Sequence, residues 1–157
     1  MKTFRASVIY LGLGILILAL SACAALEDMV PDVGPTPEPE SALVTTSWSL
    51  VSYGDPGSET PVIEGSEVTL EFQDESQAVG LGGCNSFGTQ YEVVNDQLTF
   101  RELISTQIAC AEEGVMEQEQ AYYDALRSAT EFERTDSELQ IWYDDGQSVL
   151  NFEQADG

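Results

Sequence analysis

The chain has 157 residues, of which 28 are Asp or Glu, five are Lys or Arg and none is His. Its formal net charge of −23 excludes the usual mode of nucleic-acid binding, in which Lys and Arg neutralise phosphates. The lack of histidine excludes Ser-His-Asp catalysis, a histidine-activated cysteine and histidine-based zinc sites.

Residues 1–22 have the pattern of a secretory signal, with Lys2 and Arg5 before an apolar run at 8–20. The run is shorter than the roughly 20 apolar residues of a membrane span. It ends in LSAC at 20–23, which resembles the lipobox of bacterial lipoproteins. We predict an exported protein held at the bacterial cell membrane or outer membrane by acyl chains, such as palmitate, on Cys23. An ordinary signal peptide and a short signal anchor are the alternatives.

Residues 23–46 are rich in Pro and Glu and read as a tether, because PTPEPE favours an extended chain. Cleavage before Cys23 would leave three arginines against 28 acids, a formal charge of −25. We interpret this acidity as an aid to solubility in a salty medium rather than the mark of a cationic partner. The lipid anchor, not charge, is then the predicted contact with the membrane.

Residues 47–154 are the predicted globular domain, long enough for one core. In EVTLEF, Val68, Leu70 and Phe72 alternate onto one face, as in a half-buried strand. The turn signals Asn95-Asp96 and Asp144-Asp145-Gly146 predict hairpins. Further predicted strands are SWSLVSY, QAVGLGG, TQYEVV, QLTF, LISTQIAC, TEFERT, LQIWY and SVLNF.

One segment, Val115 to Ser128, is rich in helix formers. Its apolar residues recur at helical spacing, at Val115, Tyr122, Leu126 and Ala129. The predicted fold class is therefore α+β and β-dominated. We expect a compact antiparallel sheet or an open barrel covered by one amphipathic helix.

The glycine-rich stretch VGLGGCNSFGTQY at 79–91 lacks the lysine and the following helix of a phosphate loop. With Cys23 acylated, Cys84 and Cys110 form an even pair in an exported protein, which predicts a disulfide closing a loop of about 27 residues. Two separate buried thiols are the alternative. Glycines such as Gly83 then allow the chain to kink and another segment to approach closely.

Glu119 lies about 40° from the apolar stripe of the predicted helix, where successive residues turn by about 100°. Two interpretations stay open. Glu119 reaches water at the edge of the stripe, or it turns inward and accepts hydrogen bonds from backbone N–H groups near Asn85 or from the Asn85 amide.

The ordered motifs of the globular part resemble the META domain family, which includes HslJ-like lipoproteins. They are Gly83-Cys84-Asn85, Phe87, Gly88, Tyr91, Ser105-Thr106, Ala109-Cys110, the segment 117–126 and the leading SWSLVSY. The resemblance spans about residues 45–153. It implies a compact β-rich fold with one helix, an association with stress or drug tolerance, and no established catalytic activity.

The resulting hypothesis is a non-enzymatic, lipid-anchored envelope protein, monomeric and without cofactor or metal. It would act on stress or drug tolerance by binding another envelope protein, whose identity is unknown. Two other classes stay open. A carboxylate-dependent hydrolase would need two acids held about 5–10 Å apart in a cleft. A calcium-modulated binding domain is suggested by the acidic segments QDES, ERTDSE and YDDGQ, although such clusters are commonly solvated turns.

Overall fold

A computed structural model describes residues 43–155 of the chain. The predicted signal segment 1–22, the predicted acylation site Cys23 and the tether up to residue 42 lie outside the described residues. Within the described stretch, no helix is long and apolar enough to cross a membrane.

The described chain folds as strands, then one helix, then strands. The elements are β1 (Thr46–Gly54), β2 (Thr60–Pro61), β3 (Thr69–Phe72), β4 (Gln77–Leu81), β5 (Ser86–Val94), β6 (Gln97–Ser105), α1 (Val115–Arg127), β7 (Ala129–Arg134), β8 (Glu138–Tyr143) and β9 (Ser148–Gln154). The β-dominated α+β class expected from the sequence is confirmed.

The strands form one antiparallel barrel of eight strands, in the order β1, β3, β4, β5, β6, β7, β8, β9 and back to β1. The expected antiparallel barrel with one helix is present, but the barrel is closed and not open. The barrel closes because β1 pairs along both of its edges: residues 46–49 pair with β3 on one edge, and residues 48–54 pair with β9 on the other. The short strand β2 pairs with the far end of β1.

Period-two alternation places the core inside the barrel. Val68, Leu70 and Phe72 all point inward and are almost fully buried, as the sequence predicts. The segments QLTF and LISTQIAC were predicted as separate strands. QLTF and the first three residues of LISTQIAC instead form the single strand β6, and residues 106–110 lie outside any strand. A bulge at Glu102, where φ is +54°, bends this strand without ending it. The chain leaves regular structure after Ser105.

Helix α1 lies against the barrel end at which β4 passes into β5. Its predicted stripe residues Val115, Tyr122 and Leu126 are buried. The ring of Tyr122 meets Phe87 edge-on at 5.8 Å and Phe152 at 6.3 Å, and its hydroxyl donates to the Thr69 carbonyl. Ala129, also predicted on the stripe, is buried but already belongs to β7, because α1 ends at Arg127. This packing brings one helix face over the glycine-rich loop.

Candidate functional site

The loop of residues 82–85 joins β4 to β5 and passes beneath α1. Gly83 adopts φ +105°, a conformation that glycine reaches without the steric cost other residues pay. Gly82 has no space for a side chain, since a Cβ there would lie 2.6 Å from the Tyr123 hydroxyl and 2.8 Å from Glu119 Oε2. The glycines therefore let the loop approach the side chains of the helix closely.

Glu119 of α1 turns toward this loop and is 7% exposed. Its Oε2 accepts hydrogen bonds from the backbone N–H of Asn85 at 2.6 Å and of Cys84 at 3.3 Å. Its Oε1 accepts a bond from Asn85 Nδ2 at 2.8 Å. The sequence left two arrangements of Glu119 open, and the structure has the one in which Glu119 turns inward. We call this set of bonds the Glu119–Asn85 latch.

Asn85 also binds the segment that follows β6. Its Oδ1 accepts from Thr106 Oγ1 at 2.8 Å and from the Ile108 N–H at 2.7 Å, while its Nδ2 donates to the Ile108 carbonyl at 3.2 Å. Its backbone carbonyl accepts from the Gly82 N–H and the Tyr123 hydroxyl. Every donor and acceptor of this buried residue is therefore engaged. Asn85 connects the loop, the helix and the segment after β6.

A disulfide joins Cys84 to Cys110 across the same loop, with the two Cα atoms 6.0 Å apart. The latch and the disulfide hold neighbouring residues, since Cys84 precedes Asn85. The covalent bond and the hydrogen bonds both fix the segment after β6 against the β4–β5 loop.

Two further polar residues of the helix take part in this region, and neither was singled out from the sequence. Gln118 is buried, accepts from the Ile63 N–H at 2.7 Å and donates to Ser66 Oγ at 2.9 Å. Burial, together with the nearby Glu119 carboxylate, raises the pKa of Tyr123. Helical spacing could have indicated both: Gln118 lies one turn after Val115, and Tyr123 one turn after Glu119.

The acidic segments proposed as calcium ligands form turns and strand ends. In QDES, Asp74 Oδ1 accepts hydrogen bonds from the Ser76 N–H and the Gln77 N–H, both at 2.8 Å. The bond from the Ser76 N–H is the main reason that the pKa of Asp74 is lowered. In YDDGQ, Asp144 and Asp145 have positive φ and build the β8–β9 turn. Across residues 43–155, no group of three or more His, Cys, Asp or Glu side chains is arranged to hold a metal ion.

The hydrogen bonds and the disulfide of this site connect separate segments of the chain. A carboxylate acting as general acid or base has to reach a substrate proton directly or through one water. Glu119 instead faces three protein donors beneath the helix. The other acids of residues 43–155 are exposed, apart from the half-exposed Glu59. The structure therefore brings Gly83, Cys84, Asn85, Cys110 and Glu119 together, in an arrangement that joins segments of the chain.

Several solved structures have a similar fold. An NMR structure of a protein from Burkholderia xenovorans has a TM-score of 0.62 and 28% identity, and the match covers 80% of this chain and 94% of that one. A second NMR structure has a TM-score of 0.59 and 22% identity, covering 74% and 95%. The crystal structure of a DUF4847 family protein from Bacteroides vulgatus has a TM-score of 0.54 and 10% identity, covering 73% and 95%. The last two likenesses concern the fold alone.

A search of curated proteins found no match. The META domain model, in contrast, matches residues 41–156, a span that includes the whole barrel, the helix and the disulfide. The chain therefore belongs to the META domain family.

Proposed function

We propose that this META domain is a non-enzymatic interaction domain, held at the bacterial envelope by a lipid on Cys23, that acts by binding another envelope protein. The observation that carries the proposal is the latch. Among the described residues Glu119 is the one buried carboxylate, and its oxygens are engaged by Asn85 and Cys84. The polar groups of the interior thus support architecture, and recognition is left to the surface.

The anchoring part of the proposal is supported by the sequence. An apolar run at 8–20 leads to LSAC at 20–23, and a Pro- and Glu-rich stretch separates Cys23 from β1. Each buried methylene of an acyl chain contributes about 0.8 kcal/mol, so more than one chain gives a stable anchor. The link to stress or drug tolerance is the part of the proposal that follows from the family resemblance.

Membrane fractionation tests the anchor. Cys23→Ser should move the protein out of the membrane fraction, because serine offers no thiol for acylation. Ala24→Ser, which changes the next residue and leaves the cysteine, is the matched control and should stay with the membranes. If Cys23→Ser still sediments with membranes after a high-salt wash, the lipid anchor is wrong.

Crosslinking in intact envelopes tests the binding role. A photoreactive residue placed at exposed barrel positions should capture the same envelope protein repeatedly, and the Cys23→Ser variant should lose that product. If crosslinks form with no envelope protein above the level of an unrelated exported control, the interaction role is wrong. Purified protein that turns over a substrate would equally overturn the non-enzymatic assignment.

A further inference from the structure

The outer face of β4, β5 and β6 and the segment after β6 carry exposed apolar residues near the barrel end covered by α1. Leu81 is 36% exposed, Ile104 73% and Ile108 60%. The register relates the strand residues of this face: Val79, Gly88 and Ile104 form one cross-strand row, and Leu81 and Ser86 lie in the next row. Ile108 follows, held beside Asn85. We call Val79, Leu81, Gly88, Ile104 and Ile108 the apolar patch.

The patch has a trough at its centre. Gly88 lies between Val79 and Ile104, and a Cβ built at Gly88 would meet nothing within 4 Å. Neighbouring strands lie about 4.8 Å apart, so the two flanking side chains stand about 10 Å from each other across this glycine. That spacing leaves room for one apolar side chain of a partner. The floor is a strand held by pairing on both sides, so the trough is preformed.

Acidic residues flank the patch on two sides. Glu71 pairs with Val79 and is exposed on the same face. Glu102 lies two residues before Ile104 and accepts a hydrogen bond from Gln90 Nε2 of β5. The basic residue on the neighbouring part of β6, Arg101, is bound to Glu92 at 2.6 Å. An apolar centre with a negative rim is therefore presented to a partner. Anionic lipid would be repelled by such a rim.

We propose that the apolar patch docks a protein segment in which apolar side chains are interspersed with Lys or Arg. One apolar side chain enters the trough over Gly88, and the cationic groups meet the acidic rim. We choose a cationic partner because opposite charges orient the two molecules and raise their association rate. The apolar centre, which loses its water on binding, supplies most of the affinity. This inference rests on the proposed role as a protein-interaction domain, and it names the surface and the chemistry of the partner.

Direct binding tests the proposal with a synthetic probe, a fluorescein-labelled peptide of alternating isoleucine and lysine. The full chain is reconstituted in phosphatidylcholine nanodiscs, empty nanodiscs serve as the blank, and Kd is read by fluorescence anisotropy. Ile104→Gln and Gly88→Gln should each raise Kd at least about tenfold, the effect of losing one hot-spot contact. Gly88→Gln fills the trough without contacting the core.

Val94→Gln is the matched control, since Val94 is 53% exposed on the outer face of β5 at its opposite end. It should change Kd less than about twofold, as expected for a residue outside the contact. Far-UV circular dichroism and melting temperature should be the same in all three variants. Peptides in which glutamate replaces lysine, or serine replaces isoleucine, should bind at least about tenfold more weakly.

Equal Kd values for the patch variants and Val94→Gln would overturn the proposal, and so would equal binding of the glutamate peptide. Self-association of the chain that Ile104→Gln abolishes would overturn it in favour of a second copy. If the unsubstituted chain does not bind the peptide at all but still forms crosslinks with an envelope protein, the docking proposal is wrong and the proposed function stands.

Discussion

Removal of the Glu119 carboxylate should destabilise the whole domain. Glu119→Ala deletes the acceptor for three protein donors: the N–H groups of Asn85 and Cys84 and the Asn85 amide. These donors lie beneath the helix, and Asn85 is only 3% exposed. The substitution leaves them without that acceptor in a place that water reaches poorly. Alanine is a good helix former, so α1 itself is not weakened.

The magnitude follows from the two short bonds. A hydrogen bond to a charged group contributes about 1.5–3 kcal/mol, and the Asn85 bonds, at 2.6 and 2.8 Å, are short, as bonds to a carboxylate tend to be. Water entering the space of the lost side chain recovers part of this free energy. We expect Glu119→Ala to lower the free energy of unfolding by about 2–4 kcal/mol.

Urea unfolding followed by circular dichroism measures this effect, with Glu117→Ala as the matched control. Glu117 is exposed in the first turn of the same helix, where an acid contributes less than about 1 kcal/mol. A double-mutant cycle between Glu119→Ala and Asn85→Ala should give a coupling energy above about 1 kcal/mol, since the residues are in contact. Equal unfolding midpoints for the Glu119→Ala and Glu117→Ala variants would refute the latch as a source of stability.

Three further outcomes test the same region. The pair of substitutions Cys84→Ser and Cys110→Ser should lower the free energy of unfolding by about 3 kcal/mol, because the disulfide closes a loop across 26 positions; two titratable thiols in the unreduced, denatured protein would contradict this. Gly83→Ala should lower it by about 1–3 kcal/mol in chemical unfolding, since φ +105° strains a residue with a Cβ; an unchanged midpoint would contradict this. Because the pKa of Tyr123 is raised in the fold, its contribution to stability is complete below about pH 10 and is lost as pH rises further; Tyr123→Phe should make the alkaline decline shallower, and parallel curves would contradict this.

Local patterns were enough to predict most elements of the fold. Val68, Leu70 and Phe72 alternate as a strand does, and all three lie in the core. The helix begins at Val115 as predicted and ends at Arg127, one residue before the predicted end. These features depend on side-chain periodicity, which neighbouring residues in the sequence determine.

Features that depend on distant pairings could not be read in the same way. Barrel closure requires β1 to meet β9, about 100 residues later in the chain, and no local pattern specifies that contact. The β6–β7 join rests on one pair, Gln97 with Glu131. The bulge at Glu102 carries no glycine to mark it. The bonds of the candidate site are distant too, since Glu119 is 34 positions from Asn85; helical geometry suggested its direction, and the structure supplies its partners.

The two ends of the barrel have different surroundings. Thr46 pairs with Phe72 at one end. The β4–β5 loop, the latch and the exposed Ile104 lie toward the other end, because β4 and β6 both run from the first end to the second. The latch then has a functional consequence under the proposal, since Asn85 fixes Ile108 and so holds part of the docking surface in a rigid position.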